Sequence, residues 1–173
     1  MQLLKLLNID NVTEEEIQTY KHRRTVRVIA FDAENKIAFI HAKERKYYEL
    51  PGGGVEESES LEQGAIREAK EEIGCDIEII GEIGIFKEYI KNKNLINETF
   101  CFTANVVGEK GEQTLTDKEI AEGKSVIWVD IQEAIRLIRT NPSPDLYPDS
   151  IVLGETFMMK YLEDVEKTET KLN

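Results

Sequence analysis

The sequence is short of the residues that would staple, break or anchor it. Its two cysteines, Cys75 and Cys101, lie among apolar neighbours with no paired spacing, which excludes a disulfide framework and points to a reducing compartment, the cytoplasm. Two isolated histidines, His22 and His41, have no Cys or His at ligand spacing, so both read as structural or exposed. Only 4 prolines and 11 glycines occur in 173 residues, which excludes collagen-like and low-complexity architectures. No apolar run approaches the roughly 20 residues that cross a bilayer, so no membrane partner is expected. The apolar stretch over residues 1–7 is shorter than the core of a signal peptide and soon meets Asp10 and Glu14 to Glu16; it reads as a surface helix. Positive charge is also scarce. Against 34 Asp and Glu stand 22 Lys and Arg, a net charge of −12 that opposes binding of nucleic acid polymers and anionic membranes. A partner that balances this surplus is a cation.

What is present fits one folded domain, with 40% hydrophobic residues and no repeat or linker. The division expected is a core over 24–140, an N-terminal extension over 1–23 and a C-terminal helix over 141–173. β-Branched runs at Thr25 to Phe31 and Lys36 to His41 flank Asp32 to Asn35 as a hairpin, and Tyr47 to Leu50 makes a short strand ending at Pro51. Further strands are expected over 77–85, 86–90, 98–107 and 126–129, with a turn at Lys91 to Asn94. Apolar residues recur every three or four positions over 131–139 and 151–165, the spacing of two core-facing helices, with Asn141-Pro-Ser-Pro-Asp145 between them. Strands outnumber helices, so the fold class is α/β in the α+β sense, a mixed sheet with helices packed on it.

The chemistry concentrates between Leu50 and Gly74. Seven glutamates from Glu56 onward face only Arg67 and Lys70, and Gly52, Gly53 and Gly54 form a backbone free of Cβ atoms that a ligand can approach closely. Ser60 and Gln63 match a capping box and Gly74 suits the stop, so a helix of about four turns is predicted between them. On it Leu61, Ala65, Ala69 and Ile73 form the buried stripe, while Glu68, Glu71 and Glu72 stand at i, i+3 and i+4 on another face. Like charges so placed repel by a few tenths of a kcal/mol per pair, and a hard divalent cation, which prefers oxygen ligands, reverses the sign. Arg67 and Glu59 are placed to pair, tying loop to helix. A Glu-rich helix as a plain solvated face is the competing reading.

Gly53, five residues, Glu59, seven residues, Arg67-Glu68-Ala69, one residue, Glu71-Glu72, one residue, Gly74-Cys75: this spacing resembles the 23-residue box of the Nudix hydrolases, with Ala69 and Cys75 smaller than the usual aliphatics. The resemblance implies a mixed sheet sandwiched between helices and a loop–helix–loop that binds Mg²⁺ or Mn²⁺. It also implies hydrolysis of a nucleoside diphosphate linked to another group. By motif position Glu71 and Glu72 would be metal ligands, Glu68 a metal ligand or the general base, Arg67 its orienting partner, and the Gly52 and Gly53 carbonyl region would complete the metal site, with Gly52, Gly53 and Gly54 as the expected substrate-binding loop. Glu119, in the later loop with Gly123 as a hinge, would be an auxiliary metal ligand or the base, with Glu98 and Glu122 as weaker candidates. Tyr47 and Tyr48 are open to stacking on a base or to packing, Trp128 reads as core, and Arg27 and Lys43 are candidate phosphate contacts. A proline about sixteen residues past the box, common in ADP-ribose enzymes of this family, is replaced by Lys91, and Tyr89 is a few positions off the tyrosine of dinucleoside polyphosphate enzymes. A nucleoside triphosphate pyrophosphohydrolase is the favoured reading. Nucleotide sugars, dinucleoside polyphosphates and a non-catalytic ligand-binding module are the alternatives. The expected partner is a small nucleotide, and a homodimer is compatible with this reading.

Overall fold

The computed structural model describes residues 1–140 and 148–172, with side chains of the last helix described from 151 to 167. The Asn141 to Asp145 connection expected from the prolines lies outside the described residues.

Among the described residues, seven strands form one mixed sheet. They are β1 (Leu3–Leu7), β2 (Lys21–Phe31), β3 (Ile37–Ala42), β4 (Tyr47–Glu49), β5 (Asp76–Ile90), β6 (Leu95–Val107) and β7 (Lys124–Val129). Their order is β1-β5-β6-β2-β3-β4, with β7 on the other edge of β3. β2 runs parallel to β6 along its whole length, from Lys21–Leu95 to Phe31–Asn105, but meets β3 only at Phe31–Ile37. That single pairing opens the sheet between β2 and β3.

The side-chain alternation of β2 explains the two helical layers. Val26, Val28 and Ala30 face one way, onto Ala65, Ala69 and Ile73 of α2 (Leu61–Ile73). Ile29 and Phe31 face the other, onto α4 (Ile131–Arg139) and α5 (Pro148–Leu172) through Ile135, Ile138, Phe157 and Met158. A strand buried on both faces reads as a continuous apolar run, as this one does. Ala65 and Ala69, small for a core helix, keep the α2 backbone close to the sheet.

The capping box of Ser60 and Gln63 is present, and Gly74 ends α2 at φ 68°, a left-handed conformation that costs a residue with a Cβ more. Such a cap is worth about 1 kcal/mol. Residues 77–90 form one strand rather than two, because irregularities at Ile79/Gly81 and Glu82/Gly84 absorb the break expected there. Residues 1–7 are not a surface helix. Leu3–Leu7 pairs in parallel with β5, and Leu4 and Leu7 pack against the core beneath α5. Seven residues make a marginal helix, whereas an open sheet edge supplies backbone partners at once. Two short helices, α1 (Glu14–Ile17) and α3 (Asp117–Ala121), were not expected; Thr13 and Thr116 cap them with Glu16 and Glu119.

Candidate active site

The glycine loop is held as a partial strand against the opened edge of β2. Val28 donates to the Pro51 carbonyl at 3.0 Å, Val26 to the Gly53 carbonyl at 2.9 Å, and Val55 donates to the Arg24 carbonyl at 3.0 Å. Gly52 has φ +141° and a Cβ there would stand 2.1 Å from the Val26 carbonyl oxygen, so only glycine fits. At Gly53 an added Cβ would fall 2.6 Å from both carboxylate oxygens of Glu68. The absent side chain leaves room for that carboxylate under the loop.

Arg67 ties loop and helix together. Its Nε and Nη2 grip Glu59 at 3.1 and 2.7 Å, Nη2 also donates to the Gly54 carbonyl at 2.8 Å, and Nη1 donates to Glu68 at 2.8 Å and Glu71 at 3.0 Å. A guanidinium has five N–H donors, and these contacts use all of them. The expected Arg67–Glu59 pair is thus present as one part of a larger hub.

A second, deeper hub was not anticipated. Arg27 lines the cleft and is engaged by the protein: its Nη1 donates to the Leu50 and Gly52 carbonyls at 2.8 Å each, and Nη2 to Glu49 at 2.8 Å. Lys124, at the start of β7, sets its ammonium 2.7 Å from Glu72, 3.0 Å from Glu49 and 3.5 Å from Glu119. Glu72 is buried, 2% exposed, and its other oxygen accepts from the Gly52 N–H at 2.7 Å. Burial, reinforced by the charge of Glu49, pushes Glu72 up to about 7. Burial works the same way on Glu49, but Arg27 and Lys124 outweigh it and hold Glu49 below the ordinary range.

These groups line an open cleft of about 610 Å³. Glu49, Glu68, Glu72, Glu119 and Glu122 contribute carboxylates, and Arg23, Arg45, Lys93 and Lys118 contribute cations. Gly52, Gly53 and Gly54 line it as expected. Glu68 is mostly buried and its pKa is raised, burial being the main cause and Arg67 opposing it. Glu71 does not line the cleft; its half-exposed carboxylate turns onto Arg67. Glu119 is not on a loop hinged at Gly123. It is the third residue of α3, where its Oε2 accepts from the Thr116 N–H at 2.9 Å and the Thr116 hydroxyl at 2.8 Å. Burial pushes Glu119 upward, but these bonds and Lys124 prevail and its pKa is lowered.

Other candidates fall elsewhere. Glu98 pairs with Lys87 at 3.0 Å outside the cleft lining, and Lys43 is exposed and does not line it. Glu122 does line it, buried with Arg45 2.7 Å away. Tyr48 stacks on His41 and Phe39, and the Tyr47 hydroxyl donates to Glu49 at 3.2 Å, so both tyrosines are engaged by the protein. Trp128 packs against the α2 layer beneath the Lys110 ammonium. Glu49 and Lys124 have no local sequence signal, since they meet Glu72 only through the pairing of β3 with β4 and β7.

Among the described residues no three carboxylate, imidazole or thiol groups already converge as a metal cage. The donor set nevertheless suits a hard divalent ion: carboxylate oxygens from α2 and α3, a cradle at Gly53 that a Cβ would fill, and three carboxylates already turned toward one positive charge at Lys124.

The NUDIX domain family model matches residues 21–149. A putative 8-oxo-dGTP diphosphatase of Bacillus subtilis (strain 168) is 33% identical over 106 residues, covering 59% of this chain and 68% of that protein. An RNA pyrophosphohydrolase of Wolbachia sp. subsp. Brugia malayi (strain TRS) is 33% identical over 113 residues, covering 63% and 67%. Among solved structures, a NUDIX hydrolase from Nitrosomonas europaea superposes with a TM-score of 0.64 at 20% identity, covering 83% of this chain and 90% of that one. A MutT protein from Methanosarcina mazei Go1 superposes with a TM-score of 0.59 at 18% identity, covering 84% and 96%. At these identities the structural likeness speaks for the fold.

Proposed function

Because the chain belongs to the NUDIX family, whose relatives here are named as diphosphatases and pyrophosphohydrolases, we propose that it hydrolyses nucleoside triphosphates to a nucleoside monophosphate and pyrophosphate. The observation that carries the reading is the division of charge in the cleft. Carboxylates gather at its floor while Arg23, Arg45, Lys93 and Lys118 line it in a protein of net charge −12. Cations concentrated against the overall sign suit a small polyphosphate, and the volume is that of a small-molecule site.

Glu68, Glu72 and Glu119, which line the cleft, would hold Mg²⁺ or Mn²⁺, with Glu71 joining them by turning from Arg67; the ion would supply neutralisation of phosphate charge and activation of the attacking water. Water adds to one phosphorus of the anhydride, the bridging P–O bond breaks, and the proton from the water passes to Glu68. Glu68 is favoured over Glu119 for this role because it lies directly under the Gly53 backbone of the loop, whereas Glu119 is held by the Thr116 cap of α3 and by Lys124. Arg67 keeps Glu68 under the loop, and Glu119 is assigned as an auxiliary ligand.

The test is turnover of nucleoside triphosphates with Mg²⁺ or Mn²⁺, read by ³¹P NMR beside nucleotide sugars, dinucleoside polyphosphates and 5′-triphosphate RNA. Pyrophosphate release from mononucleotides supports the reading; preference for another class, or release of orthophosphate alone, overturns it. At saturating metal, Glu68→Gln is expected to lower kcat by about 10²–10⁴-fold, the usual range for a lost general base, and Glu119→Gln by less. A larger loss for Glu119→Gln reverses the two assignments.

A further inference from the structure

Three carboxylates at the cleft floor share one arrangement. Each commits one oxygen to a local partner and turns the other to Lys124. Glu72 gives Oε2 to the Gly52 N–H at 2.7 Å and Oε1 to Lys124 at 2.7 Å. Glu49 gives Oε2 to Arg27 at 2.8 Å and Oε1 to Lys124 at 3.0 Å, where the Tyr47 hydroxyl also reaches it. Glu119 gives Oε2 to Thr116 and Oε1 to Lys124 at 3.5 Å. The ammonium that collects these oxygens is itself buried, its side chain 8% exposed.

We propose that Lys124 is a built-in counter-ion of the metal-free protein, holding Glu49, Glu72 and Glu119 in place and giving way when a divalent ion loads the cleft. Without it, three carboxylates from β4, α2 and α3, two of them buried, would face one another with no ammonium between them, a costly arrangement. Nothing in the helix or strand patterns requires a lysine at the first position of β7. Its flexible stem, with four methylene groups and three ammonium donors, suits a cation that must both fill the site and leave it. A divalent ion drawing on Glu72 and Glu119 competes with Lys124 for the same oxygens, and two cations at contact distance repel. Lys124 thereby weakens metal binding while it preserves the fold of the empty site.

The inference rests on the metal reading above, so its test separates the two. Mn²⁺ affinity is measured by EPR of the free ion for wild type and Lys124→Met, together with thermal unfolding in chelator. The expected result is Mn²⁺ binding tightened at least about tenfold in the variant, the order expected from removing one like charge beside a cation site, with a lower Tm in chelator that added Mn²⁺ restores. Equal or weaker affinity in Lys124→Met overturns the counter-ion role alone. Absence of Mn²⁺ binding in both proteins overturns the metal reading and this role together. A second measurement needs no variant: reductive methylation of the wild-type protein, followed by peptide mass spectrometry, with and without Mg²⁺. Lys124 is expected to become several-fold more reactive when Mg²⁺ is present, and unchanged or reduced reactivity overturns the proposal.

Discussion

Arg67 shows how much one side chain decides here. Its five donors hold Glu59, Glu68, Glu71 and the Gly54 carbonyl, so removing it frees the loop and the proposed base together. Arg67 does not line the cleft. Arg67→Ala is therefore expected to lower kcat by about two orders of magnitude with KM changed far less, a pattern read from steady-state kinetics as lost transition-state positioning. A rise in KM with kcat intact would instead mark Arg67 as a substrate contact. Glu72 gives a second prediction, on stability. A carboxyl whose folded pKa stands above its unfolded value binds its proton more tightly in the native state. Glu72, raised from 4.5 to about 7, thus contributes stability fully below pH 4.5, and that contribution is lost as pH rises to about 7. In chelator, the urea midpoint of the wild type should fall across this window, and Glu72→Gln should reduce the slope, the remainder coming from Glu68, whose pKa is raised as well. An identical slope in the variant would place the titrating group elsewhere.

At the scale of elements, the loop over 51–55 and helix α2 act as one device because β2 leaves an edge open for the loop and alanines let the helix lie close. The narrowest point is Gly53 over Glu68. Gly53→Ala puts a methyl 2.6 Å from the carboxylate, which must shift. Activity should drop at least about tenfold, the scale on which misplacing a reacting group is felt, while Tm falls by only a few degrees. Circular dichroism and initial rates distinguish this from simple unfolding; a variant as active as wild type would show that Glu68 has room elsewhere. The helix was legible in the sequence because its signals are local: Ser60 and Gln63 at one end, Gly74 at the other, and a stripe of period four between them. β1 was not legible, since Leu3–Leu7 carries no pattern that separates a short helix from a strand, and the free edge of β5 made the choice.

For the whole molecule, net charge of −12 with carboxylates gathered at one cleft predicts that metal ions act on stability as well as on rate. Mg²⁺ at about 100 times its Kd should stabilise the fold by about 2.7 kcal/mol if it binds only the native state, read as a Tm that climbs with the logarithm of Mg²⁺ concentration. A Tm indifferent to Mg²⁺ but not to Na⁺ would mean general screening only. The sequence by itself determined the box, because Gly53, Glu59, Arg67, Glu68, Glu71 and Glu72 sit within 20 residues and their spacing on a single loop and helix fixes how they meet. It also determined the fold class, through strand runs and helical periods that are each local. Only the tertiary structure decided which of those glutamates line the cleft and what faces them. Glu71 turned outward onto Arg67, Glu119 was locked into a capped helix, and Glu49 and Lys124 arrived from β4 and β7 to meet Glu72. The physical reason is that a charge buried beside another is set by strand pairing over long separations, and Lys124 lies 52 residues from the glutamate it holds most closely.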